Sequence, residues 1–173
     1  MKITRQLARL EPMVLHPVHG LSDEEWHHAP AGSWTVAQIV EHLAVSVDLV
    51  AQLFEERGEL PPRRRRSRPH ETVLRHLVLI SGRIPRGLNT VAAAVPSDEP
   101  EPDMATAQFR MGVELMRYLA ETWPSEVRES VFLRHPYLGD LNLPEWVRFH
   151  YVHSRHHMQE IRERLRWLGK EVA

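Results

Sequence analysis

Apolar residues recur at three- and four-residue steps in several separate stretches, the spacing of helices with one buried face. From about Thr4 to Leu15, the residues Leu7, Leu10 and Val14 share a side, with Pro12 as a candidate break. The segment His16–Ser33 is interrupted by Pro17, Gly20, Pro30 and Gly32 and reads as loop. Within it, Ser22 and Glu25 are placed to cap a single turn through Trp26. From about Thr35 to Arg57, Val36, Ile39, Val40, Leu43, Val47, Val50 and Phe54 form a broad apolar face. Thr35 and Gln38 make a capping-box pair at its start, so this helix is predicted to be substantially buried.

Helical spacing resumes over 70–81, where Val73, Leu74, Leu77 and Ile80 fall on one face, until Gly82, Pro85 and Gly87 break it. Residues 82–103 read as a long connection, with a short helical or extended piece at Val91–Val95. Such a connection is often functional, or runs from one end of a bundle to the other. Met104–Thr122 is a further helix with Phe109, Val113, Met116, Leu119 and Ala120 inward, and Pro124–Leu141 is read as irregular. The last stretch, Asn142 to Gly169, has the fullest set of signals. Asn142 is the N-cap, Pro144 lies in the first turn, Glu145 completes the reciprocal cap, and Gly169 is the stop. Leu143, Trp146, Val147, His150, His157, Ile161, Leu165 and Leu168 make its inward stripe. The total is four main helices, one or two small ones and no clear strand: an all-α helix bundle in a single domain, 1–173.

Composition narrows the chemistry. A chain of 173 residues can bury one core without staples. It has no cysteine, so disulfides, thiolate ligands and a cysteine nucleophile are excluded, and a metal site would use His, Asp, Glu and water. A cysteine-free chain fits a reducing cytoplasm. The first residues lack the apolar core of a signal peptide, no 18-residue apolar run predicts a membrane span, and a net charge of −1 gives no general drive toward nucleic acid. The basic run from Pro61 to Pro69 has no interleaved aromatics and is taken as a solvated loop, with a phosphate or nucleic-acid contact as the alternative reading.

Histidines interrupt the last stripe. His153 and His157 stand one turn apart and project from the same side, a spacing that can hold a transition metal if a third ligand comes from elsewhere. No Glu follows the first of them as in HExxH, so metalloprotease chemistry of that type is not supported. His42, at the border of the second helix's apolar face, reads by itself as a core-edge histidine. Metal sites in bundles draw on facing helices, and these three histidines are distributed accordingly.

Two segments carry a family likeness: GSWTVAQIVEHLA, residues 32–44, and HPYLGDLNLPEWVRFHYVHSRHHMQEI, residues 135–161. In these the chain resembles the DinB/YfiT-like superfamily, over nearly its whole length. The resemblance implies a four-helix bundle holding one divalent metal through His42, His153 and His157, with His156 turned away. His150, one turn before His153, is the competing ligand. Glu160 stands where relatives often have Gln, and would alter the ligand's surroundings or pair with Arg164. Imidazole suits zinc, nickel and iron, with zinc and nickel foremost.

The implied activities are transfer to a low-molecular-weight thiol and metal-dependent hydrolysis, each on a small molecule. A non-catalytic metal-binding or stress-response interaction protein is the alternative. His150, Glu41 and Glu160 are general-base candidates by neighbourhood. Trp34, Trp123 and Trp146 are candidates for a pocket mouth, and His135 for a loop-anchoring or metal-supporting hydrogen bond. Neither nucleic acid nor membrane is expected as a partner; a homodimer through apolar helix faces is.

Overall fold

Two of the long helices begin where a side chain, Thr35 or Asn142, accepts a backbone N–H group that the helix itself leaves unpaired. The computed structural model describes residues 2–58, 64–85 and 89–170. Its elements are α1 (Lys2–Leu15), α2 (Asp23–His27), α3 (Val36–Arg57), α4 (Pro69–His76) continuing as a π-turn (Leu77–Ser81), a 3₁₀ turn (Ala92–Ala94), α5 (Pro102–Thr122), α6 (Ser125–Ser130), β1 (Phe132–His135), β2 (Gly139–Asn142) and α7 (Leu143–Trp167). The reciprocal caps at Ser22/Glu25, Thr35/Gln38 and Asn142/Glu145 all form. Pro12 does not break α1, because it stands in the last turn, where its missing N–H costs a single bond.

The long helices α1, α3, α5 and α7 form the bundle. The helix α3 packs along α5, α1 lies against α5 and α7, and α7 closes on α1 and α3. Gly112 lets α3 and α5 approach closely, since a Cβ there would sit 2.8 Å from the Asp48 backbone. Leu7, Leu10, Val36, Ile39, Leu43, Val47, Phe54, Phe109, Val113, Met116, Leu143 and Ile161 are fully buried in one core. The 22 residues of α3 have the length and mean hydropathy of a membrane-crossing helix, but its apolar face is turned into this core. Gly169, at φ +73°, ends α7 as expected.

Two sequence expectations fail. Residues 124–141 are not irregular: they hold α6 and an antiparallel hairpin with Leu133 opposite Leu141 and His135 opposite Gly139. The fold class stands, with this hairpin attached over the start of α7, where Trp146 Nε1 donates to Leu133 O at 3.3 Å. In α4 the face is rotated. Val73, Leu77 and Ile80 are outward, while Glu71, Arg75 and Val78 are buried, because an ion network outcompetes the apolar stripe.

That network fixes the basic run. Residues 64–68 lie extended beside β2, with Arg66 N donating to Asp140 Oδ2 at 2.8 Å and Asp140 N to Arg66 O at 3.3 Å. Buried Glu71 pairs with Arg134. Arg65 meets Glu145 at 2.7 Å, and Arg75 donates to Ser67 Oγ at 3.0 Å. Pro61, Pro62, Arg63 and Gly87, to which the sequence reading also gave roles, lie outside the described residues.

Candidate metal centre

The N-terminal third of α3 carries His42, and the middle of α7 carries His153 and His157. Packing of the two helices brings one ring nitrogen from each into a single cluster. Nε2 of His153 lies 3.1 Å from Nε2 of His42 and 3.1 Å from Nε2 of His157. The opposite edges of the outer two rings are engaged. His42 Nδ1 lies 2.6 Å from the Ala94 carbonyl oxygen, and His157 Nδ1 lies 2.9 Å from Glu160 Oε2.

These partners decide the tautomers. A carbonyl oxygen only accepts, so His42 Nδ1 donates; beside a carboxylate, His157 Nδ1 donates too. In their neutral forms both rings then present the Nε2 lone pair toward His153. His153 could donate from Nε2 to one of them, leaving the other Nε2 without a donor. A cation at the shared point satisfies all three. Nitrogen ligands about 2.0–2.1 Å from a divalent ion stand roughly 3 Å apart, as His153 Nε2 does from each of the other two. The donor set fits a divalent metal.

Electrostatics favours the neutral, ligating form. Burial draws the His42 pKa down to about 4, against a smaller upward pull from its bond to Ala94. Burial and the neighbouring His157 and His42 hold His153 well below the usual imidazole range. Burial pushes the Glu160 carboxyl up, but the bond from His157 and the nearby His156 and Arg164 together bring it below its ordinary value, so it stands as a carboxylate.

The rings are walled by aromatics. Phe149 stacks on His153 with centroids 5.2 Å apart, while Trp34 lies 5.0 Å from the His42 ring and 6.3 Å from the His157 ring. Residues 89–98 cross over the site as a strap. Tyr137 donates to Asn89 O at one end. At the other, Ser97 N donates to Glu41 Oε2 at 2.6 Å and Gln38 Nε2 to Ser97 O at 3.1 Å.

The remaining candidates sort clearly. His150 is buried and stacked on Trp146 outside the cluster, its pKa drawn down to about 3 by burial and the neighbouring His135 and His42. His135 anchors the hairpin loop, its Nδ1 accepting from the backbone N–H of Tyr137 and Leu138. His156 is half-buried and outside the cluster. Of the tryptophans proposed for a pocket mouth, Trp34 is at the site, Trp146 supports the hairpin, and Trp123 packs on Phe54. Glu160 contacts a ligand directly, and Arg164 turns instead to Trp34 O at 2.6 Å. Sequence reasoning missed Ala94, whose contribution is a main-chain carbonyl, and Phe149.

Comparison with known proteins identifies the fold and the family. The uncharacterized protein YuaE of Bacillus subtilis (strain 168) is 24% identical over 163 residues, covering 90% of this chain and 91% of the relative. YfiT from Bacillus subtilis, described as a probable metal-dependent hydrolase with an unusual four-helix bundle topology, superposes with a TM-score of 0.66 at 18% identity. That match covers 98% of this chain and 87% of YfiT, and it establishes the shared fold. The sequence profile of the DinB superfamily matches residues 6–161, both histidine segments included, and the chain belongs to that superfamily.

Proposed function

We propose that the chain is a metal-dependent hydrolase acting on a small molecule, with His42, His153 and His157 as the ligands of one divalent ion, zinc or nickel. The observation that carries this reading is the meeting of three Nε2 atoms, two of them on rings whose Nδ1 is engaged by Ala94 or Glu160. The description of YfiT supports the reaction class. Bound there, the ion would supply Lewis acidity and draw the pKa of water toward neutrality. Everything else falls to the chain. Ala94 and Glu160 hold two imidazoles in the ligating tautomer. Phe149 and Trp34 limit water around the rings. Glu160, a carboxylate bonded to His157 Nδ1, would raise the basicity of that imidazole as a ligand.

Elemental mass spectrometry on untagged protein, followed by a panel of esters and amides with and without a low-molecular-weight thiol, tests the proposal. About one divalent ion per chain and thiol-independent turnover are expected. Turnover that requires the thiol and moves the group onto it would replace hydrolysis with transfer. Metal without any turnover would favour the non-catalytic reading, and no metal after reconstitution with zinc or nickel would end the proposal.

A further inference from the structure

At the far end of the bundle from the histidines, an open concavity of about 740 Å³ is walled by the C-terminus of α3, the extended segment 64–68 and the hairpin. His42 and Arg57 lie near opposite ends of α3, so roughly 22 Å of helix separates the two places. Arg57, Arg66, Arg68 and Arg134 face the concavity.

The carboxylates beneath these arginines are already engaged. Glu71 pairs with Arg134 and accepts the Arg68 backbone N–H at 2.7 Å. Asp140 accepts the Arg66 backbone N–H and lies 3.8 Å from Arg134. Glu145 takes Arg65 at 2.7 Å and Arg75 at 3.8 Å. Among the described residues, the guanidiniums of Arg57, Arg66 and Arg68 form no ion pair and no hydrogen bond. A floor of paired carboxylates thus carries a rim of exposed arginines, of which Arg68 also feels the Glu71 charge.

Guanidinium forks match phosphate oxygens two at a time, and the volume suits a small ligand. Stacking of bases is not provided for. Phe132, the aromatic ring beside this segment, is buried beneath the Arg65 guanidinium at 4.9 Å. Without an aromatic platform among the described lining residues, the surface favours a small phosphate ester over a nucleic acid. We infer that the cleft is a binding site for a phosphorylated small molecule, held by Arg57, Arg66 and Arg68. This site does not depend on the metal reading.

Isothermal titration of the full chain with inorganic pyrophosphate at roughly physiological salt tests it. One saturable site per chain is expected, weakened at least about tenfold by Arg66→Gln and again by Arg68→Gln, since each removes a charge-assisted contact. Arg110→Gln, on the outer face of α5, should leave affinity unchanged. So should His153→Ala, which breaks the histidine cluster and separates cleft binding from capture by a metal. Both cleft residues are exposed, and circular dichroism should show the same fold in each variant. Absence of saturable binding overturns the inference, as does equal weakening by Arg110→Gln. Loss confined to His153→Ala would assign the anion to the histidines. Tighter binding of a DNA duplex through the same arginines would make the surface a nucleic-acid contact instead.

Discussion

The helix α7 joins two polar clusters that solve the same problem in opposite ways. Near its start, Glu145 belongs to a network in which each buried carboxylate meets a guanidinium or a backbone N–H. In its middle, His153 and His157 meet His42 with no counter-charge at the point of convergence, and the two acceptors present, Ala94 O and Glu160, serve the outer edges of the rings. The first cluster is complete from its own side chains. The second becomes complete on adding a positive ion. Burial of polar groups therefore carries no single meaning; the question is whether their donors and acceptors cancel.

The largest expected effect tests the incomplete end. His153→Ala should reduce bound metal from about one ion per chain to none in elemental analysis, with the apo fold intact by circular dichroism. His150→Ala should keep the metal. If the reverse holds, the ligand assignment is wrong.

At the complete end, Glu71→Ala should lower the melting temperature by several degrees whether or not metal is present, because it takes a carboxylate from Arg134 and an acceptor from the Arg68 backbone N–H. A melting temperature that falls only in the metal-loaded protein would show that the two ends are coupled.

Acid should separate the ends in the metal-free protein. His135 and His150 have folded pKa values of about 4 and about 3, drawn down from 6.5 chiefly by burial. The unfolded chain therefore binds more protons below pH 6.5, and stability falls with pH from there down toward pH 3. Glu71 lies below its ordinary 4.5, held there first by the Arg68 backbone N–H, so its contribution is lost only below about pH 4.5. Denaturant midpoints should thus decline between pH 6.5 and 4.5 from these buried histidines, before Glu71 is protonated, and His150→Leu should flatten that decline.

Two smaller effects sharpen the contrast. Glu160→Gln should weaken metal affinity by about 10- to 100-fold in competition with a chelating dye, leaving stoichiometry unchanged. Asn142→Ala removes the α7 cap and should cost about 1 kcal/mol in denaturant unfolding, with no change in metal affinity.

The parts legible in the sequence are those written in side chains along one helix. The cap at Asn142, the stop at Gly169 and the pairing of His153 with His157 are local, and all three appear where spacing puts them. His42 is a core-edge residue by its own surroundings, and the family likeness was needed to bring it to α7. The orientation of α4 was hidden because its apolar stripe is real but loses to Glu71, whose partner Arg134 lies on the hairpin, and to Arg75, which reaches Glu145 on α7. The hairpin itself has strands of four residues, too short for alternation to show; its one clear sign is Gly139, which turns at φ +75°.

The strap over the histidines has an evolutionary consequence. Its hold on His42 is a backbone oxygen, so residues 92–94 could drift freely among small side chains while the site kept its geometry. What selection can act on there is the path of the chain, through changes of loop length or a proline that bends it away. Relatives could differ at every letter of this segment and still orient the same imidazole.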